Sequence, residues 1–156
     1  MDRLDSRACY DKAVELLARR SHFERQLEEK LLARKFSSRE VEVCLQRLVG
    51  EQLLDDHRTA REFVETRLRR GPIGRRRMRF ELAKRGAPEG VVEEALASLP
   101  ESDLEPTRRV AAAWLRRGRT DWTALARHLD RKGFSTSSIL TVVEESRREQ
   151  TGEEGD

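Results

Sequence analysis

The chain has 156 residues, of which 39% are charged and only 37% hydrophobic, with a mean hydropathy of -0.78 and a formal net charge of +3. So little apolar mass excludes a single thick core and favours a thin helical protein, and no run reaches the ~18 apolar residues that a membrane helix needs. Cys9 and Cys44 form neither a metal-ligand spacing nor a disulfide framework, and the opening residues lead into no apolar run, so a cytoplasmic, reducing setting without a secretory signal is expected.

The predicted elements are helices throughout. Ala13, Leu16, Leu17 and Arg20 follow helical period. Ser21-His22-Phe23-Glu24 has the pattern of a capping box opening a second helix, whose apolar face is Leu27, Leu31 and Leu32. Ser37-Ser38-Arg39-Glu40 opens a third, facing inward with Val41, Cys44, Leu45 and Leu48. Asp55-Asp56 reads as an N-cap rather than a metal site. Pro72, Pro88 and Pro106 stand near helix starts, where a missing amide hydrogen costs little. Thr120 or Asp121, and then Ser135, are the last predicted caps. No window alternates with a period of two, so no strand is predicted. Glu149 to Asp156 reads as an acidic, frayed tail.

The chain also repeats, with spacings of 51 and 47 residues. Apolar residues align at Leu27/Met78/Leu125 and Leu31/Leu82/Leu129, and a basic residue at Arg34/Arg85/Lys132. A turn follows at Lys35/Gly86/Gly133, then Phe36/Ala87/Phe134. Val41/Val92/Ile139 and Leu45/Leu96/Val143 keep the register downstream, as do Leu17/Leu68/Leu115 upstream, with helix ends at Arg20/Gly71/Gly118. The expected fold is all-α: three tandem three-helix, helix-turn-helix-like repeats over 8–50, 56–100 and 104–148, with the tail at 149–156. Units of this size bury too little to stand alone, so they should stack into an elongated, curved array suited to a large partner.

Charge is uneven. Residues 1–66 carry a net -1 and residues 86–156 a net -4, whereas residues 67–85 hold nine basic residues against one acidic. This block comprises Arg67, Arg69, Arg70, Arg75, Arg76, Arg77, Arg79, Lys84 and Arg85. The first three suit the negative end of a helix dipole, but four arginines from Arg75 to Arg79 would open the next helix, where cations are disfavoured. The block is therefore the candidate partner- or nucleic-acid-binding surface.

Enzyme signals are weak. Gly71-Pro72-Ile73-Gly74 lacks the Lys-Ser/Thr and preceding strand of a phosphate loop. His22, His57 and His128 are far apart and each reads as a surface residue. Cys44, Phe36, Phe134 and Trp114 read as core, and Trp122 as half-exposed. No catalytic residue, cofactor or metal ligand is therefore assigned. The third helix of each unit would be the recognition helix of a DNA reader, but Arg39-Glu40-Val41-Glu42-Val43 and its counterparts are acidic or apolar. Sequence-specific groove reading is not expected; a stand-alone, sequence-neutral DNA-binding protein is the alternative function.

The three units, with Arg34-Lys35-Phe36, Arg85-Gly86-Ala87 and Lys132-Gly133-Phe134 at their turns, resemble the RecX regulatory proteins of bacteria. Leu54-Asp55-Asp56 followed by Ala60 and Phe63, then Arg70-Gly71 and the Arg-rich helix start, add to the resemblance, which runs from about residue 8 to 147. Ala87 at its turn, Pro72-Ile73 in the basic loop and Lys35 in place of a turn glycine depart from the pattern. The resemblance implies a modulator of RecA recombinase in recombination and DNA repair. Such a protein lies in the groove of the RecA-DNA filament and inhibits ATP hydrolysis, strand exchange or filament extension. The implied partner is the RecA nucleoprotein filament, with single- or double-stranded DNA as a further direct partner; a monomer is expected.

Overall fold

The computed structural model describes residues 2–152, with side chains from residue 6 onward. Among the described residues there are nine helices and no strand: α1 (Asp2–Arg19), α2 (Glu24–Ala33), α3 (Ser38–Gly50), α4 (Asp56–Arg69), α5 (Arg75–Lys84), α6 (Glu89–Ala97), α7 (Leu104–Leu115), α8 (Trp122–Arg131) and α9 (Thr136–Thr151). None is long and apolar enough to cross a membrane. The all-α repeat reading is therefore the fold of the chain. Of the segment read as a frayed tail, residues 149–151 complete α9, and residues 153–156 lie outside the described residues.

Local sequence explains most helix starts. At α3 the Ser37 hydroxyl accepts from the Glu40 amide at 3.1 Å, while the Glu40 carboxylate accepts from the Ser37 amide at 3.2 Å. Asp121 caps α8 through the Ala124 amide at 3.0 Å, and Ser135 caps α9 through the Ser138 amide at 3.3 Å. Asp55 caps α4 through the Arg58 amide at 3.2 Å. Its neighbour Asp56 instead reaches back to the first amide of α2, accepting from Glu24 at 2.8 Å.

The start of α2 corrects the sequence reading. Ser21 does not cap this helix; its hydroxyl bonds to the Glu62 carboxylate. The N-cap is Phe23, whose amide donates to the Gln26 side chain at 3.1 Å. Burial decides the register: Phe23 is 1% exposed and anchors the loop in the interior. His22 follows it inward and is also 1% exposed, so it is not a surface residue. Its Nδ1–H donates to the Arg20 carbonyl at 2.9 Å, and its Nε2 accepts from Lys30 Nζ at 2.7 Å. Burial, then the Lys30 ammonium, hold the imidazole below its ordinary pKa and keep it neutral.

The chain divides into two compact units. Unit 1 comprises residues up to Phe63 together with Leu82–Ala95; unit 2 comprises Val64–Glu81 together with the chain from Leu96 onward. The helices α4 and α5 thus each begin in one unit and end in the other. In unit 1, α1 packs on α2 and α3 around Leu16, Leu27, Leu31, Val41, Leu45 and Leu48. Cys9 and Cys44 are free thiols buried in this core. Burial first, then the neighbouring Cys44, pushes the Cys9 thiol up to about 12, so it stays protonated. In unit 2, α7, α8 and α9 pack around Val110, Trp114, Leu125, Leu129, Phe134 and Val142. Trp122 is half-buried at the edge of that core.

The aligned positions carry the interior. Leu27, Met78, Leu125, Leu31, Leu82 and Leu129 are all 0% exposed. The aligned turns share a backbone conformation too: Lys35, Gly86 and Gly133 have φ of 72°, 96° and 83°. Lys35 thus adopts a left-handed conformation that glycine adopts without steric cost. The upstream set is less buried: Leu68 is exposed, and Leu17 and Leu115 are half-buried.

Truncating a fully buried leucine removes transfer energy and leaves a cavity. Leu82→Ala or Leu129→Ala is expected to lower unfolding free energy by about 2–5 kcal/mol, measured by urea denaturation; a loss below ~1 kcal/mol would contradict the burial assigned to these sites.

Candidate partner-binding surface

The nine basic residues singled out from the sequence do not share one environment. Arg67 to Arg79 belong to unit 2, and Lys84 and Arg85 to unit 1. Most of them meet groups within their own unit. The Arg75 guanidinium donates to the carbonyls of Leu96 at 2.9 Å and Pro100 at 3.0 Å, around the end of α6. The Leu96 carbonyl also accepts from the Leu99 amide at 3.0 Å, and a cation there sits at the negative end of the α6 dipole. Arg76 clasps the end of α8, donating to the Asp130 carbonyl at 2.8 Å and its carboxylate at 2.7 Å. Arg77 and Arg67 converge on Glu81, at 3.0 and 2.9 Å. Burial would raise the Glu81 pKa, but the two hydrogen-bonded guanidiniums outweigh it and hold the carboxyl below its usual range.

Arginines at the start of α5 therefore require no external anion: α6, α8 and Glu81 supply the acceptors. In unit 1, the Arg85 guanidinium lies 4.6 Å from the centre of the Phe63 ring. Arg79 is exposed and also has an interaction within the chain. Arg69, Arg70 and Lys84 are exposed, with no carboxylate partner among the described residues.

Two glycines set the geometry. Gly74 precedes α5, and its amide donates to the Lys132 carbonyl at 2.7 Å. A Cβ on Gly74 would lie 2.1 Å from the carbonyl carbon and oxygen of Gly133. A Cβ on Gly133 would lie 2.3 Å from the Arg77 amide nitrogen. The α4–α5 loop thus touches the α8–α9 turn backbone to backbone, which brings Arg76 to Asp130.

A cleft of about 750 Å³ opens beside this contact. Ile73 and Phe134 contribute apolar surface, and Arg75, Arg76, Arg79 and Arg109 contribute cations. The N-terminus of α9 also faces it, and several donors there are taken up by Asp103. Asp103 accepts from the Ser135 amide at 2.7 Å, the Ser135 hydroxyl at 2.8 Å and the Ser138 hydroxyl at 2.5 Å. Burial opposes ionisation of Asp103, yet these bonds hold its carboxyl below the usual range.

A second groove, of about 630 Å³, lies along α7. Its basic residues are Arg70, Arg109, Arg116, Arg117, Arg119 and Lys132. Only Arg70 was singled out from the sequence; the other five were missed. No group of three or more His, Cys, Asp or Glu among the described residues is placed to hold a metal ion.

Comparison with known proteins identifies the lineage. Residues 9–48 match the family model for the first three-helix domain of RecX, and residues 55–96 the model for its second. A regulatory protein RecX of Thermus thermophilus is 39% identical over 140 residues, covering 90% of this chain and 93% of the relative. The chain belongs to the RecX family. The regulatory protein RecX of Chlorobium limicola is 33% identical over 145 residues, covering 91% of this chain and 90% of that protein. The crystal structure of RecX from Lactobacillus salivarius matches with a TM-score of 0.79 at 22% identity, over 90% of this chain and 96% of that one, and shares its fold. RecX membership makes the chain one of a family of regulatory proteins.

The glycine contact yields a direct test. Gly74→Ala forces a methyl group into the Gly133 backbone, which cannot move aside as a side chain can. Overpacking of this kind costs about 2 kcal/mol, and a correspondingly lower thermal midpoint is expected. An unchanged midpoint would contradict the backbone contact.

Proposed function

We propose that this chain regulates RecA recombinase by binding the RecA-DNA filament and inhibiting its ATPase, strand exchange or extension. The observation that carries this reading is RecX similarity over nine-tenths of the chain at up to 39% identity. Its setting is homologous recombination and DNA repair in the cytoplasm. The mechanism is steric and electrostatic: a repeat protein contributes surface and charge to a large partner, with no covalent chemistry of its own. Within the basic block, the exposed cations without a carboxylate partner, Arg69, Arg70 and Lys84, are the ones available for that contact. Arg67, Arg75, Arg76 and Arg77 hold the fold that presents them.

The alternative is a stand-alone, sequence-neutral DNA-binding protein that competes with RecA for the strand. A titration into cognate RecA, hydrolysing ATP on single-stranded DNA, separates the two. Direct action on the filament predicts inhibition at or below stoichiometric ratios to RecA that persists in excess DNA. Inhibition abolished by excess DNA would favour the alternative, and unchanged hydrolysis and strand exchange would overturn the RecA reading.

A further inference from the structure

The three repeats differ two residues beyond the aligned buried set Leu27/Met78/Leu125, about 200° further round the helix and so away from the core. The first repeat has Glu29 there and the third Arg127, both exposed. The second has Phe80, which is 55% exposed. Two charged residues serve the fold at this place, so packing does not call for an aromatic ring. Single apolar residues are ordinary on a protein surface, and exposure alone assigns nothing. The surroundings of Phe80 do.

The ring borders a surface depression of about 290 Å³, with Arg76, Arg77, Asp130, Arg131 and Gly133 as its other walls. All of these belong to unit 2. The Arg77 guanidinium lies 5.5 Å from the ring centre and donates to Glu81 at 3.0 Å. A cation already fixed by its own carboxylate thus holds the ring in place. A side chain ordered before a partner arrives loses less entropy on binding. Arg131 ends α8, is exposed, and has no carboxylate partner among the described residues. An exposed aromatic ring set among guanidiniums has the composition that dominates binding energy at protein interfaces.

We infer that Phe80 is the anchor of a protein–protein contact: an apolar side chain of the partner packs on its ring, and a partner carboxylate meets Arg131. The inference rests on the reading that the partner is the RecA filament, and it names the point of contact as a protein face rather than the DNA. The charges around the ring favour that choice. A strand stacking on Phe80 would need several unengaged cations for its phosphates. Arg76 and Arg77 already donate to Asp130 and Glu81, whose carboxylates repel phosphate, so Arg131 stands alone. One apolar contact with one ion pair beside it matches the anchor-and-rim pattern of a protein interface.

The test titrates the whole protein into cognate RecA hydrolysing ATP on single-stranded DNA. Phe80→Ala should raise the half-inhibitory concentration by about tenfold or more, and Arg131→Glu by about threefold or more. Phe80→Tyr keeps the ring and should stay within about threefold of wild type. Leu140→Ala, at an exposed apolar residue on α9, should stay within about twofold. Thermal midpoint and helical circular dichroism of Phe80→Ala should match wild type, because the ring is exposed. In fluorescence anisotropy without RecA, Phe80→Ala should bind a labelled oligothymidylate as wild type does. Equal inhibition by wild type and Phe80→Ala would overturn this inference and leave the RecA reading standing. So would an equal loss in Leu140→Ala, a midpoint lowered by several degrees in Phe80→Ala, or a matching loss of affinity for the naked strand, which would make the ring a base-stacking platform. Absence of inhibition by the wild-type protein would overturn the RecA reading and this inference with it.

Discussion

Gly74 and Gly133 meet backbone to backbone, and the cation arrangement of unit 2 depends on that contact. The Gly74 amide bonds to the Lys132 carbonyl at 2.7 Å, and neither glycine leaves room for a side chain. The turn at Gly133 also needs a left-handed backbone, with φ of 83°. From this one approach, Arg76 reaches Asp130, and the loop carrying Arg70 and Gly71 comes to border the groove along α7. A close approach of this kind substitutes shape for apolar area, which suits a chain only 37% hydrophobic.

The arginines then sort by what they meet. Arg75 binds carbonyls at and beyond the end of α6, Arg76 holds the end of α8, and Arg67 and Arg77 share Glu81. Each joins chain segments distant in sequence or fixes a helix face, so its donors are engaged within the chain. Those along α7 line one groove, and no carboxylate lines it with them. Counting cations does not distinguish the two classes; knowing their acceptors does.

Much of the fold was legible because burial follows the repeat. The six aligned positions from Leu27 to Leu129 are fully buried, and the turn at Lys35/Gly86/Gly133 is left-handed in every copy. The caps at Ser37, Asp55, Asp121 and Ser135 were also readable, being local interactions between residues three apart. Ser21 misled because its capping pattern competes with burial of Phe23, and burial won; His22 was drawn inward with it. The site was less legible. Partners of Arg75 and Arg76 lie 21 to 54 residues away, beyond any local pattern. The groove had a sequence signal: residues 108–119 hold five arginines and no acidic residue. Averaging residues 86–156 to a net -4 concealed it.

The central claim is that cations with internal acceptors hold the fold, whereas the exposed cations along α7 do not. Thermal unfolding of Arg75→Ala beside the double variant Arg116→Ala, Arg117→Ala tests it directly. Loss of hydrogen bonds from a charged donor costs roughly 1.5–3 kcal/mol, which corresponds to a midpoint lower by several degrees in a chain of this size. Arg75→Ala should show that loss, and the double variant should match or exceed the wild-type midpoint because it relieves repulsion. The reverse order, with Arg75→Ala neutral and the double variant destabilised, would contradict the account.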